Sequence, residues 1–132
     1  MMDVAVDTNL LVRYITRDDP VQEKQAREVM LQHRVFVPKS VVLELEWVLR
    51  FTYRFSVDDI ATALDTLLDA EQIDVEDADA VRLAVAAFRE GLDFADAMHL
   101  VSCSQFGVFL TFDKALFRRA GRVFDQPAVR LP

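Results

Sequence analysis

The chain has 132 residues, 52% of them apolar and 10% aromatic, which is enough to build a core and excludes disorder as a description of the whole. Its apolar runs are broken by charge, so none approaches the ~20 residues of a membrane span, and the lone Cys103 excludes an internal disulfide framework and a cysteine-based zinc site. The net charge of -7, from 22 acids against 15 bases, argues at first against a nucleic-acid partner.

The position of the charge alters that reading. No Lys or Arg lies between Arg54 and Arg82, whereas Asp58, Asp59, Asp65, Asp69, Glu71, Asp74, Glu76, Asp77 and Asp79 all do. Nine of the 22 acids are therefore local, and the rest of the chain has 13 acids against 15 bases. The start, Met1-Met2-Asp3, lacks the basic and apolar regions of a signal peptide, and together with the single cysteine this predicts a cytoplasmic protein.

In chain order, strands and helices alternate. A short strand over Met2 to Val6 ends at Asp7-Thr8-Asn9, and a helix over Leu10 to Ile15 follows. Asp19 caps a second helix with Pro20 at its first position, reaching about Gln32. Val35 to Val37 is a second strand, stopped by Pro38, and Ser40 caps a third helix to about Thr52. Ser56 opens a fourth helix to about Ala70, Ile73 to Val75 is a minimal strand, and a fifth helix over Asp77 to Arg89 stops at Gly91. Asp93 caps a sixth helix to about Gln105. Val108 to Phe112 is the clearest strand, Asp113 starts a last short helix ending near Gly121, and Val123-Phe124 is a further short strand. The pattern predicts one α/β domain over residues 1–132: three layers, with helices on both faces of a central parallel sheet of about four to five short strands. With three glycines in all, a phosphate-cradling glycine loop is absent.

Ligands of open α/β sheets collect at the carboxyl ends of the strands. Asp7 and Asp113 each stand directly after a strand; either could be a helix N-cap, but as a pair they mark a site. On the third helix, Glu46 and Arg50 are four apart and define a solvent side with an ion pair, which places Glu44 opposite, between Val41 and Val48 on one flank and Trp47 and Phe51 on the other. A carboxylate there costs several kcal/mol unless paired or metal-bound; an edge glutamate is the plainer alternative. Asp96 lies on an almost wholly apolar helix, where Asp93-Phe94-Ala95-Asp96 also resembles a capping box; Asp93 shares that ambiguity with the weaker functional case. Carboxylates gathered in a partly dry crevice need a cation, and oxygen-only ligands select Mg2+ or Mn2+. His33 and His99 are too far apart for a paired-histidine zinc motif, no serine nucleophile elbow occurs, and Cys103 reads as a core thiol.

Four segments in order, Val4-Ala5-Val6-Asp7-Thr8-Asn9, Ser40-Val41-Val42-Leu43-Glu44-Leu45-Glu46-Trp47-Val48-Leu49, Asp93-Phe94-Ala95-Asp96-Ala97 and Leu110-Thr111-Phe112-Asp113, resemble the PIN-domain ribonucleases, and within them the VapC toxins of bacterial toxin–antitoxin pairs. The resemblance spans the whole chain. It implies an acidic site of Asp7, Glu44, Asp96 and Asp113, with Asp93 as a supporting acid, and Thr8, Asn9 and Thr111 orienting those acids. It further implies endonucleolytic cleavage of RNA dependent on one or two Mg2+ or Mn2+ ions, a homodimer, and inhibition by a VapB-like antitoxin. Arg13, Arg17, Arg118, Arg119 and Arg122 are candidates for holding RNA phosphates, although 12 of the 15 bases are Arg and compositional bias alone could supply them.

Two other classes compete. A phosphorelay receiver domain shares the size, acidity and Mg2+ chemistry, but wants paired acids after the first strand and has no use for Glu44. A non-catalytic PIN-like RNA- or protein-binding module fits the fold without the chemistry. The acidic segment is expected to form a hairpin of its two helices with nine acids on its outer side, either a solvating face or a dock for a basic partner segment.

Overall fold

A computed structural model describes residues 3–132, so the start of the first expected strand, at Met2, lies outside the described residues. Two units are distinguished, one ending at Ala78 and the other running from Asp79 to Pro132.

In the first unit, β1 (Asp3–Ala5) leads into α1 (Thr8–Thr16) and α2 (Pro20–Gln32), and β2 (Arg34–Val37) into α3 (Lys39–Phe51) and α4 (Val57–Asp69), before β3 (Ile73–Val75). The strands form a parallel sheet in the order β1-β2-β3, with Val4 opposite Val35 and Val37 opposite Val75. Each parallel pair needs a crossover, and the two helix pairs supply them. On the central strand, Val35 and Val37 are wholly buried while Arg34 and Phe36 alternate to the other side. Arg34 there makes a two-pronged ion pair with Asp74 of β3, at 2.8 and 2.9 Å. Leu11 and Val12 of α1, Ala26 and Met30 of α2, Val42, Leu45 and Leu49 of α3, and Ile60, Ala61 and Leu64 of α4 are buried at helical spacing.

In the second unit, α5 (Ala78–Arg89), whose first residue is the last of the first unit, and α6 (Phe94–Ser102) precede β4 (Val108–Leu110), α7 (Lys114–Ala120) and β5 (Ala128–Arg130). β4 and β5 pair in parallel, with Phe109 opposite Val129. Phe88 and Phe94 are buried and meet edge to face, 5.5 Å between ring centres. Gly91 takes a φ of 102°, the left-handed conformation that ends α5 as expected.

The α/β class and the parallel pairing follow the sequence reading, and the five described strands are hydrogen-bonded as ladders of three and two. Four local expectations are corrected, the first being that β4 ends at Leu110 rather than Phe112. α3 is capped two residues earlier than expected, by Pro38 rather than Ser40, and the Pro38 carbonyl accepts from the Val41 and Val42 amides. α6 stops at Ser102 rather than Gln105. Val123 and Phe124 close the turn after α7 through bonds to the Ala120 carbonyl, and the last strand forms instead at Ala128–Arg130. Among the described residues no helix is long and apolar enough to cross a membrane.

Candidate active site

In the first unit Asp7 stands two residues after β1 and caps α1, its Oδ1 accepting from the Leu10 amide at 3.1 Å. Thr8 is buried beneath it, and its Oγ1 finds no hydrogen-bond partner in the structure. A buried hydroxyl of this kind costs about 1–3 kcal/mol when unpaired. Asn9 is exposed and lines the same hollow as Asp7.

α3 reverses an expectation. Glu46 is only 1% exposed, and Glu44 is exposed. The inward stripe is Val42, Leu45, Glu46 and Leu49, positions i, i+3, i+4 and i+7. Trp47 and Phe51, which suggested the opposite phase, instead meet at a tilt, 5.1 Å between ring centres, and remain more than half exposed. The expected Glu46–Arg50 pair is present, Nε donating to Oε2 at 2.6 Å and Nη2 to Oε1 at 3.1 Å, but on the buried side. Arg50 also lies over the Phe51 ring at 4.5 Å. Glu44 therefore carries no burial penalty that would demand a cation.

In the second unit Asp93, Asp96 and Asp113 line one cleft of about 450 Å³, together with Leu92, Ala115, Leu116 and Arg119. Asp93 caps α6, its Oδ2 accepting from the Asp96 amide at 3.1 Å. Asp113 caps α7, its Oδ1 accepting from Ala115 and Leu116 at 2.9 and 3.1 Å, and its own amide donates to Thr111 Oγ1 at 3.0 Å. Burial pushes the Asp96 carboxyl above its ordinary range, the charges of Asp93 and Asp113 push it further, and His99 opposes them weakly. Like charges held in one cleft are the electrostatic condition that a hard cation relieves, and the donors are all oxygens, so this cleft suits Mg2+ or Mn2+. Among the described residues no three His, Cys, Asp or Glu side chains stand as a ready cage for an ion.

The arginines separate by role. Arg119 lines the carboxylate cleft, and with Arg122 it also lines an adjoining hollow of about 280 Å³. Arg118 and Arg17 are exposed, Arg17 in left-handed backbone at the end of α1. Arg13 is occupied inside the first unit, donating to Asp18 at 2.9 Å, Gln22 at 2.8 Å and the Tyr53 hydroxyl at 3.2 Å.

Sequence reasoning put Glu46 on the wrong side of α3 and did not single out the carboxamides of Gln22 and Gln25, which share the hollow of Asp7. The spacing of Val42, Leu45 and Leu49 held the signal for Glu46; nothing local marked the glutamines.

A parallel α/β architecture with aspartates capping the helices after β1 and β4 defines a class, and the comparison with known families places the chain in it. The PIN domain family model matches residues 4–123, and the chain belongs to that family. It is also 28% identical over 109 residues, 78% of this chain and 80% of the other, to a VapC ribonuclease of Aquifex aeolicus (strain VF5).

Proposed function

We propose that this protein is a metal-dependent endoribonuclease that hydrolyses phosphodiester bonds of structured RNA, the toxin of a VapBC-type toxin–antitoxin pair. The observation that carries this reading is the cleft shared by Asp93, Asp96 and Asp113 with Arg119 beside them, in a chain of the PIN family. The likeness to a VapC ribonuclease supports the RNA substrate and a VapB-like antitoxin; a homodimer and a cytoplasmic setting are part of the same proposal. The PIN match runs through the division after Ala78, and residues 1–132 are taken as one functional domain.

Asp7, Glu44, Asp96 and Asp113, with Asp93 in support, are the side chains that would hold one or two Mg2+ or Mn2+ ions. A bound ion of this kind acidifies water and offsets charge on phosphoryl oxygens. The protein's own groups do the positioning. Cap bonds to α1 and α7 hold Asp7 and Asp113 through Oδ1. Thr111 anchors the Asp113 backbone and thereby the start of α7. Arg119, which lines the cleft, would take a phosphoryl oxygen there, and Arg122, which lines the adjoining hollow with it, a further phosphate. Arg17 and Arg118 remain peripheral phosphate contacts, whereas Arg13 serves the loop that holds it.

The test is cleavage of total RNA and transfer RNA by purified protein with Mg2+ or Mn2+, beside Asp7→Asn and Asp96→Asn. Asn caps a helix about as well as Asp, so a folded Asp7→Asn protein loses charge without losing the start of α1. Both substitutions are expected to lower cleavage by more than the roughly 10–100-fold that follows loss of an outer hydrogen-bond partner. Equal activity in all three proteins refutes the site, and metal-independent RNA binding without cleavage supports the binding-module reading instead.

A further inference from the structure

Between α1 and α2 lies a hollow of about 210 Å³, open on one side, that the proposed hydrolysis leaves unused apart from Asp7 in its lining. Three carboxamides line it, those of Asn9, Gln22 and Gln25, and Ala26 and Val29 add apolar surface. On α2 positions 22, 25, 26 and 29 share one face, and Ala26 is buried, so a short methyl keeps the floor of the hollow low.

One carboxamide is held in place. Arg13 Nε donates to Gln22 Oε1 at 2.8 Å, which turns the Gln22 amino group, a pure donor, away from the arginine. Arg13 is fixed in turn by Asp18 Oδ1 at 2.9 Å and by the Tyr53 hydroxyl, which itself donates to Asp18 Oδ2 at 2.8 Å. The chain Tyr53–Asp18–Arg13–Gln22 runs through side chains from α1, α2 and the segments after α1 and α3. It also neutralises the one guanidinium in the lining, so beside the Asp7 carboxylate the hollow offers the donors and acceptors of its carboxamides rather than positive charge. Such a surface suits the edge of a nucleobase, not a phosphate. Its volume admits one base against Ala26 and Val29.

We infer that this hollow is a nucleobase pocket, in which Gln22 and Gln25 read a base of the RNA and set the sequence preference of the enzyme. Gln22 supplies donors to a ring nitrogen or carbonyl, Gln25 supplies both a donor and an acceptor, and Tyr53 and Asp18 act as positioning residues through Arg13. The inference rests on the ribonuclease reading for its role in cleavage, but base binding is measurable without cleavage.

AMP, GMP, CMP and UMP are each titrated into the full chain, alongside inorganic phosphate, and followed through the side-chain amide resonances of asparagine and glutamine. The preferred base is expected to bind roughly ten-fold or more tightly than the weakest, the ratio a good bidentate contact supplies. Gln25→Ala and Gln22→Glu, the second of which keeps the acceptor for Arg13 but removes the donors, should collapse that ratio; Tyr53→Phe should narrow it. Because the readout is a ratio within each protein, a general loss of affinity cancels. Equal binding of all four nucleotides and phosphate, or an unchanged ranking in Gln25→Ala and Gln22→Glu, overturns the pocket. Cleavage of a randomised RNA pool separates the two readings. If RNA is cut with the same site preference by all the variants, the pocket fails and the ribonuclease stands. If no RNA is cut while the base ranking and its loss are observed, the ribonuclease fails and the pocket stands.

Discussion

Asp7, Asp93 and Asp113 each accept from backbone amides at a helix start, so the capping and site interpretations of these residues are not alternatives. A cap uses one oxygen of the carboxylate, as with Oδ1 of Asp7 and Asp113, and an aspartate can cap and coordinate at once. Asp96 makes no such cap and bears the electrostatic cost of the cleft. Its carboxyl is raised by burial and by Asp93 and Asp113, so its ionised form is disfavoured in the folded state. A raised acid destabilises the fold above its folded pKa, and that cost fades as pH falls toward the ordinary value of 3.8. Metal-free Asp96→Asn is therefore expected to melt at a higher temperature than the native protein at neutral pH, with the gain shrinking on acidification. A lower melting temperature at neutral pH would show that Asp96 stabilises the fold instead.

At the scale of elements, α3 and the α1–α2 junction each depend on one polar cluster. Glu46 sits in the inward stripe of α3 and has Arg50 as its ion partner, itself 35% exposed. Arg50→Ala strands a buried carboxylate, and uncompensated buried charge typically costs about 3–5 kcal/mol. The partial exposure of Arg50 places the expected loss toward the lower end, read from denaturant unfolding; a change within about 0.5 kcal/mol, the range of ordinary surface substitutions, would mean that Glu46 reaches water. At the junction, hydrogen bonds from Tyr53, then Thr16, then Arg13 hold the Asp18 carboxyl down at about 2. A depressed acid contributes stability that is complete above 3.8 and is lost as pH falls through about 2. Melting curves of the native protein and Asp18→Asn should therefore differ at neutral pH and converge across that window. A constant difference would assign the effect to packing.

For the molecule as a whole, the acidic stretch between Arg54 and Arg82 does not form one uniform face. Asp74 is bound by Arg34, Asp77 by Lys39, and Glu76 accepts from the Lys39 amide at the start of α3. The expected row of nine acids is broken because β3 alternates its side chains and puts Asp74 on the sheet face that carries Arg34. Asp58 and Asp59 remain exposed in the first turn of α4, where negative charge favours the helix N-terminus. Reversing both to Lys is expected to cost about 0.3–1 kcal/mol each at low salt and to weaken a basic antitoxin segment docked there. Antitoxin affinity that is unchanged, measured by calorimetry, would leave this end of α4 as a solvating surface only.

The sequence by itself determined most of the order of elements and most of their caps, because these are local matters. Asp19 before Pro20, Ser56 before Asp59 and Gly91 after α5 act within one turn of themselves, and the structure uses each as the sequence implied. Tertiary structure decided which side of an element is covered. Val42, Leu45 and Leu49 permit a stripe holding Glu46, whereas Trp47 and Phe51 suggest one holding Glu44, and only the packing of α3 within its unit chooses the first. The same holds for Gln22 and Gln25, two polar positions on a surface helix until α1 packs beside α2. Burial is a property of neighbours, and neighbours distant in sequence leave no local mark.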